Sequence, residues 1–368
     1  MSAFSVPYAN FSLKTREVRD RLMQAFASVL DEGRYIQGPE VQAFEKEFAQ
    51  YCGSPFATGV ANGTCSLHLT LRAIGVGPGD EVITAPNSFI ASASTIALVG
   101  AKPVFADVRE DLNIDPDAIE AAITPRAKAL VPVHLAGRMA QMPRILAVAK
   151  KHNLFVLEDA AQSVGAKLDG KRAGSWGDAA SFSLHPLKNL HAYGDAGILT
   201  THRRELLDKL SLAKNHGLKS RDHCEFWGFN CRLDEMQAAL LRVHLRELDR
   251  WTEERRALAH RYHQLLKPFV SIPAEGTGEY HVYQTYVVLA DRRDDLQAFL
   301  RKEGIEALVH YPTPIHQQPA AQGLGYRAED FPKTMELSRK ILSLPLYPGL
   351  THGQQDQVAD AFARFYRS

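Results

Sequence analysis

"LFVLEDAAQSVGA", residues 154–166, runs four apolar residues into two consecutive acids and then into small and polar residues. The segment 154–159 reads as a buried strand. A carboxylate at the end of such a strand is costly unless it is paired or hydrogen-bonded. Successive strand residues face opposite ways, so only one of Glu158 and Asp159 is expected to point into a site. A helix N-cap with a neighbouring surface acid is the other reading of the same pair.

Outward from this strand, "EVITA" (81–85), "ALVPV" (129–133), "AASFSL" (179–184) and "GILTT" (197–201) are strand-like as well. Helical patterns lie between them. Val41, Phe44, Phe48 and Tyr51 recur at helical spacing, and "PDAIEAAI" (116–123) and "MPRILAVAKKHN" (142–153) follow. This alternation predicts an α/β domain with a mostly parallel sheet, with its ligand at the carboxyl ends of the strands. From about residue 235 a long helical stretch begins, marked by Met236, Leu240, Val243, Leu248, Trp251, Leu258, Tyr262 and Leu265. A smaller α+β tail comes next: "HVYQTYVVL" (281–289), a helix at 293–304, a strand at "IEALVHYP" (305–312) and a last helix. The expected division is a large domain over 1–250 and a small C-terminal domain over 251–368.

The 368 residues are 23% charged with a net charge of +1, which points to neither a nucleic-acid partner nor an anionic membrane. The N-terminus lacks an apolar signal region and no apolar run is long enough to span a bilayer. The four cysteines follow no CxxC spacing and read as reduced thiols of a cytoplasmic protein.

Several stretches could carry chemistry. In "ATGVANGTCSLHLTLRAIG" (57–75) a strand enters a turn at Gly63-Thr64, and a helix is expected to begin near Ser66. Helix-start N–H groups beside a glycine make a phosphate cup, although an ordinary cap by Thr64 or Ser66 is the simpler account. An aspartate at 159 aimed at a pyridinium nitrogen would keep that ring protonated. In "SFSLHPLKNLHAYGDAG" (181–197), Ser183 stands five residues before Lys188, a hydroxyl for phosphate and an amine for an aldehyde. Such a lysine must lose its proton, which burial favours. Asn230, Arg232 and Asp234 immediately precede the long helix, and Phe89 follows a strand, either to stack on a flat cofactor or to join the core. "GVGPGD" (75–80) lies after a helix and before a strand, the wrong order for a dinucleotide turn. "HYPTPIH" (310–316), with His223 and Cys224, matches no zinc spacing, so no metal is expected.

Together these motifs resemble the DegT/StrS family of sugar aminotransferases, which use pyridoxal 5'-phosphate (PLP). The likeness is collinear over nearly the whole chain, through "ANGT", "GPGDEVITAPNSFIA", "EDAAQSVGA", the lysine loop, "GFNCRLDEMQAA" and "HYPTPIHQQPA". It implies a three-layer α/β/α large domain of the PLP-transferase fold type I. It further implies that Lys188 is the Schiff-base lysine and the general base. Asp159 would pair with the ring nitrogen, and Gln162 would contact the ring hydroxyl. Gly63, Thr64 and Ser183 would hold the phosphate, and Phe89 would stack on the ring. Asn230 would reach the phosphate of a neighbouring subunit in a homodimer with shared sites. His310, Tyr311, His316 and His185 would lie near the sugar. The implied reaction moves an amino group from L-glutamate to a nucleotide-linked keto-deoxyhexose by a ping-pong route, with "AYGDAG" and "HYPTPIH" leaning towards a 3-keto sugar. The alternatives are a 4-keto sugar or aminocyclitol substrate, a PLP-dependent sugar dehydratase, and a regulatory homologue without turnover. Leu184, His191, Cys65, Ala136 and Arg138 depart from the family's usual residues.

Overall fold

In the computed structural model, residues 4–11 and 15–367 are described. Seven strands form the central sheet: β1 (Phe56–Val60), β2 (Glu81–Thr84), β3 (Lys102–Phe105), β4 (Ala127–Val131), β5 (Phe155–Asp159), β6 (Ala179–Ser183) and β7 (Gly197–Thr201). Their spatial order is β1-β7-β6-β5-β4-β2-β3. Five of the seven, β6-β5-β4-β2-β3, pair in parallel; β7 runs antiparallel to both of its neighbours. β1 therefore points the same way as the parallel strands, and their carboxyl ends share one edge of the sheet.

Three layers follow from the period-two side-chain alternation. Ile83, Leu130, Val156, Ala180 and Ile198 belong to one buried cluster. Their strand neighbours Val82, Ala129, Leu157, Ala179 and Leu199 belong to another. Both faces are apolar, so both must be covered. The helices that cover and surround the sheet are α1 (Arg16–Glu32), α2 (Pro39–Cys52), α3 (Gly63–Ala73), α4 (Ala91–Leu98), α5 (Pro116–Ala122), α6 (Met142–His152), α7 (Arg204–Ala213) and α8 (Glu235–Leu266). On α2, Phe44 and Phe48 turn into the first cluster; on α3 and α7, Leu67, Leu71, Leu206 and Leu210 turn into the second. α3 starts earlier than the sequence suggested. Asn62, not Thr64 or Ser66, caps it, its side chain accepting the Cys65 N–H at 2.8 Å, because Asn62 is the last extended residue before the turn.

α8 is one unbroken helix through residue 250. Beyond it lie α9 (Arg293–Lys302), α10 (Pro332–Lys340) and α11 (His352–Arg367). A separate apolar cluster joins Leu258, Tyr262 and Leu266 of α8 to Tyr286, Leu296, Leu342, Val358 and Phe362, and takes in Val6 from the N-terminal segment. A two-stranded antiparallel ribbon, β8 (Tyr286–Leu289) and β9 (Ile341–Leu344), runs through it. The strand expected over 305–312 does not form. That segment makes only isolated bridges, Ile305 with Val6 and Leu308 with Ser343, and Ile341–Leu344 takes the place beside β8. Pro312 and Pro314 carry no N–H for a ladder, which favours a short irregular passage there. No helix among the described residues is long and apolar enough to cross a membrane.

Candidate active site

The shared edge of carboxyl strand ends opens into a cavity of about 630 Å³. At the end of β5 the two acids separate. Glu158 faces the Val156 side and is fully buried, accepting N–H groups of Trp176 (2.8 Å), Gly177 (2.8 Å) and Gly174 (3.0 Å) and lying 2.9 Å from His134 Nε2. The Ala140 N–H donates to His134 Nδ1 at 3.1 Å, so the ring proton sits on Nε2 and points at Glu158. Burial alone would raise Glu158, but His134 and the Gly177 and Gly174 N–H groups hold it below the usual glutamate value. Asp159 faces the other way and lines the cavity. Ser92 Oγ donates to its Oδ2 at 2.7 Å and the Ala161 N–H to its Oδ1 at 3.2 Å. Burial pushes the Asp159 carboxyl up, while Ser92, Ala161 and the charge of Lys188 oppose it.

Lys188 lines the same cavity, and burial brings its ammonium down to about 8 against the pull of Asp159. Its loop is latched to the chain ahead of β8. Asn189 N–H donates to Gln284 Oε1 (2.9 Å), Gln284 Nε2 to the Leu187 carbonyl (2.7 Å), and Asn189 Nδ2 to the Val282 carbonyl (3.0 Å). Leu184 is wholly buried and Ser183 lines the cavity, as alternation along β6 requires, so Leu184 belongs to the core.

The first turn of α3 closes another wall with Asn62, Gly63 and Thr64. The first N–H groups of a helix have no intrahelical acceptor, so they are available to an anion. Gly63 is needed for close approach: a Cβ there would stand 2.9 Å from Ser183 Cβ.

Phe89 is 53% exposed and lines the cavity with its ring centroid 5.8 Å from that of Tyr311, so it is not a core phenylalanine. Gln162 Oε1 is taken by the Ala136 N–H at 2.7 Å, which leaves its amide nitrogen to donate, here towards Tyr311 Oη at 3.4 Å. His310 lines the cavity with its Nδ1 3.0 Å from Ser343 Oγ; burial, then the charge of Lys188, brings it down to about 4. His185 lies at the exposed rim. His316, expected near the sugar, sits apart from these residues. It is buried 4.7 Å from the Phe331 ring and 6.5 Å from Phe105, outside the cavity lining, because the turn at 315–317 carries it into an aromatic cluster. Asn230 is exposed and also outside the cavity of its own chain.

Three participants escaped the sequence reading. Ser92, which orients Asp159, lies in the first turn of α4, where a small hydroxyl on the helix after β2 was the available signal. Arg255 lines the far wall from the middle of α8, donating to the Leu346 (2.8 Å) and Tyr283 (3.3 Å) carbonyls, with burial bringing it down to about 10. Tyr8, pushed up by burial, comes from the N-terminal segment. Neither sits in a motif. Among the described residues, no group of three or more His, Cys, Asp or Glu could hold a metal ion.

This donor set fits PLP. It offers a carboxylate for a ring nitrogen, an amine of lowered basicity for an aldehyde, a helix start and Ser183 for a phosphate, and an aromatic side chain for a ring face. The missing Cβ of Gly63 lets the start of α3 pack directly against Ser183, so that both can face one phosphate.

The model of the DegT/DnrJ/EryC1/StrS aminotransferase family matches residues 16–363. A "Pleiotropic regulatory protein" of Geobacillus stearothermophilus is 44% identical, over 99% of each chain. A "dTDP-3-amino-3,4,6-trideoxy-alpha-D-glucose transaminase" of Streptomyces venezuelae is 41% identical, over 97% of this chain and 95% of its own. Among solved structures, NtdA of Bacillus subtilis with bound cofactor PMP superposes with a TM-score of 0.92 at 29% identity, over 100% of this chain and 86% of that one.

Proposed function

This chain belongs to the DegT/DnrJ/EryC1/StrS aminotransferase family, and on that premise we propose that it transfers the amino group of L-glutamate to C3 of a nucleotide-linked keto-deoxyhexose. The observation that carries the reading is the meeting of Lys188 and Asp159 in one cavity walled by the first turn of α3. The name of the Streptomyces relative, a 3-amino-sugar transaminase, supports the choice of C3.

Bound PLP would supply an electron sink for the pair left behind when a proton leaves the amine-bearing carbon. With its ammonium at about 8, Lys188 is partly uncharged near neutrality, so Nζ can take that proton and return it. Asp159, its two oxygens oriented by Ser92 and Ala161, would face the ring nitrogen. Gln162 has only its amide N–H left to offer, which suits a ring oxygen. Ser183, Gly63 and Thr64 would anchor the phosphate, and Phe89 would cover the ring. His185, His310 and Tyr311 line the remaining space, where the sugar binds.

In this reading Asn230 serves the phosphate of a partner subunit. Its exposure supports that role, as do Phe226 (41% exposed) and Trp227 (84% exposed) close by, large aromatic surfaces of the kind a subunit contact covers. Residues 1–250 and 251–368 act as the large and small domains of a cytoplasmic homodimer, with α8 running through the division.

Incubation of the purified protein with L-glutamate and a panel of keto-sugar nucleotides, read by mass spectrometry and NMR, tests the assignment. An amine at C3 is the expected product. An amine at C4 overturns the position. A product lacking one water points to dehydration. Cofactor binding without any turnover favours the regulatory role that the name of the Geobacillus relative suggests.

A further inference from the structure

Two cysteines that the reaction does not use meet beside the phosphate turn. Cys65 lies in the first turn of α3, and Cys231 follows Asn230 in the segment leading to α8. Although 166 residues apart in sequence, their Sγ atoms are 3.0 Å apart. The backbone holds both in place. The Ala61 N–H donates to the Cys231 carbonyl (3.1 Å), the Cys231 N–H to the Lys214 carbonyl (2.9 Å), and the Cys65 N–H to Asn62 Oδ1 (2.8 Å). Both side chains are half-buried, whereas Cys52 is enclosed in the core and Cys224 is exposed with its thiol on the His216 and Phe226 carbonyls.

We propose that Cys65 and Cys231 form a reversible disulfide, with hydrogen peroxide as oxidant, that ties the first turn of α3 to the segment carrying Asn230. The hydrogen bond from Cys65 brings the Cys231 thiol down to about 7 against burial, and the same bond, together with burial, pushes Cys65 up. Cys231, which accepts the Cys65 S–H, serves as the attacking thiolate, and the same bond forms with the two roles exchanged. Its sulfur attacks one peroxide oxygen and the O–O bond breaks. Hydroxide leaves and takes up a proton as water, and Cys231 becomes a sulfenic acid. Cys65 then loses its proton and attacks that sulfur. The S–S bond forms, the S–O bond breaks, and the second oxygen leaves as water. Two thiols are oxidised by two electrons, one peroxide is reduced to two waters, and a dithiol reductant reverses the change. Bond formation requires the sulfurs to approach by about 1 Å, which shifts the turn that the proposed function gives to the cofactor phosphate. Faster cofactor release from the oxidised protein rests on that reading; the disulfide itself does not.

The test treats the holoenzyme with hydrogen peroxide, alkylates the remaining thiols and maps the peptides by mass spectrometry. The expected result is a peptide linked through Cys65 and Cys231, with loss of two of the four thiols. Dithiothreitol should restore them. The linked peptide should persist in Cys224→Ser and be absent from Cys65→Ser and Cys231→Ser. Recovery of both cysteines unlinked, whether alkylated or as sulfinic acids, overturns the proposal. Dialysis then compares cofactor release, expected to be several-fold faster for oxidised wild type and unchanged by peroxide in Cys231→Ser. A linked peptide with unaltered release keeps the disulfide and overturns its coupling to the phosphate turn. A protein that binds no cofactor in either redox state sinks the functional reading, while the peptide map still decides the disulfide.

Discussion

Replacing Glu158 by glutamine separates a fold role from a site role at adjacent residues. Each Glu158 oxygen accepts two donors: Oε1 the N–H groups of Trp176 and Gly177, Oε2 the Gly174 N–H and His134 Nε2–H. A glutamine keeps one oxygen. It can satisfy one of these pairs, and its amide N–H₂ then confronts the other. The His134 proton cannot move to Nδ1 to relieve the clash, because Nδ1 accepts the Ala140 N–H. Two buried donors lose their acceptor at ~1–3 kcal/mol each, so the expected destabilisation is roughly 2–6 kcal/mol. The sign of the pH dependence follows from the depressed folded value of Glu158. Its stabilisation is full above the ordinary glutamate pKa and fades as pH falls through the folded value. Glu158→Gln should therefore lower the urea midpoint near neutrality and lose that acid-range dependence, while the folded fraction retains turnover. Urea unfolding followed by tryptophan fluorescence, with activity normalised to folded protein, measures both. Unchanged stability combined with abolished turnover would refute the separation of the two acids onto opposite faces.

Asp159→Asn removes the charge proposed to face the ring nitrogen; transamination should fall by roughly 10²-fold or more with the urea midpoint preserved, and near-normal turnover would exclude the role. In cofactor-free protein, acylation of Lys188 should rise with a midpoint near pH 8, and Asp159→Asn should move that midpoint down, because Asp159 raises the value. A midpoint near that of an ordinary lysine would contradict the buried setting. Mixing Lys188→Ala with Asn230→Ala chains should restore activity through hybrid dimers that hold one intact site; no recovery after verified subunit exchange would argue against shared sites.

Local pattern explains why much of this was legible. The apolar runs ending at Asp159 and Ser183 are set by short-range alternation, and alternation already decides which of two neighbours faces a site. That is why Glu158 and Asp159, and Leu184 and Ser183, divide as they do. The likeness of ordered motifs added the chemical roles. Local pattern failed where a competing partner was distant in sequence. The segment 305–312 looked like a strand, but Ile341–Leu344 pairs with β8 instead. The place of His316 beside Phe105 and Phe331 likewise depends on segments far apart in sequence.

The sequence by itself determined the alternating elements, the acid at a strand end, the glycine turn and the lysine loop, because each depends on residues a few positions apart. Only the tertiary structure decided that Ser92 orients Asp159, that Gln284 latches the Lys188 loop, that Arg255 and Tyr8 wall the cavity, and that Cys65 touches Cys231. Those contacts join segments tens to hundreds of residues apart, and their geometry comes from how the layers pack rather than from any local propensity.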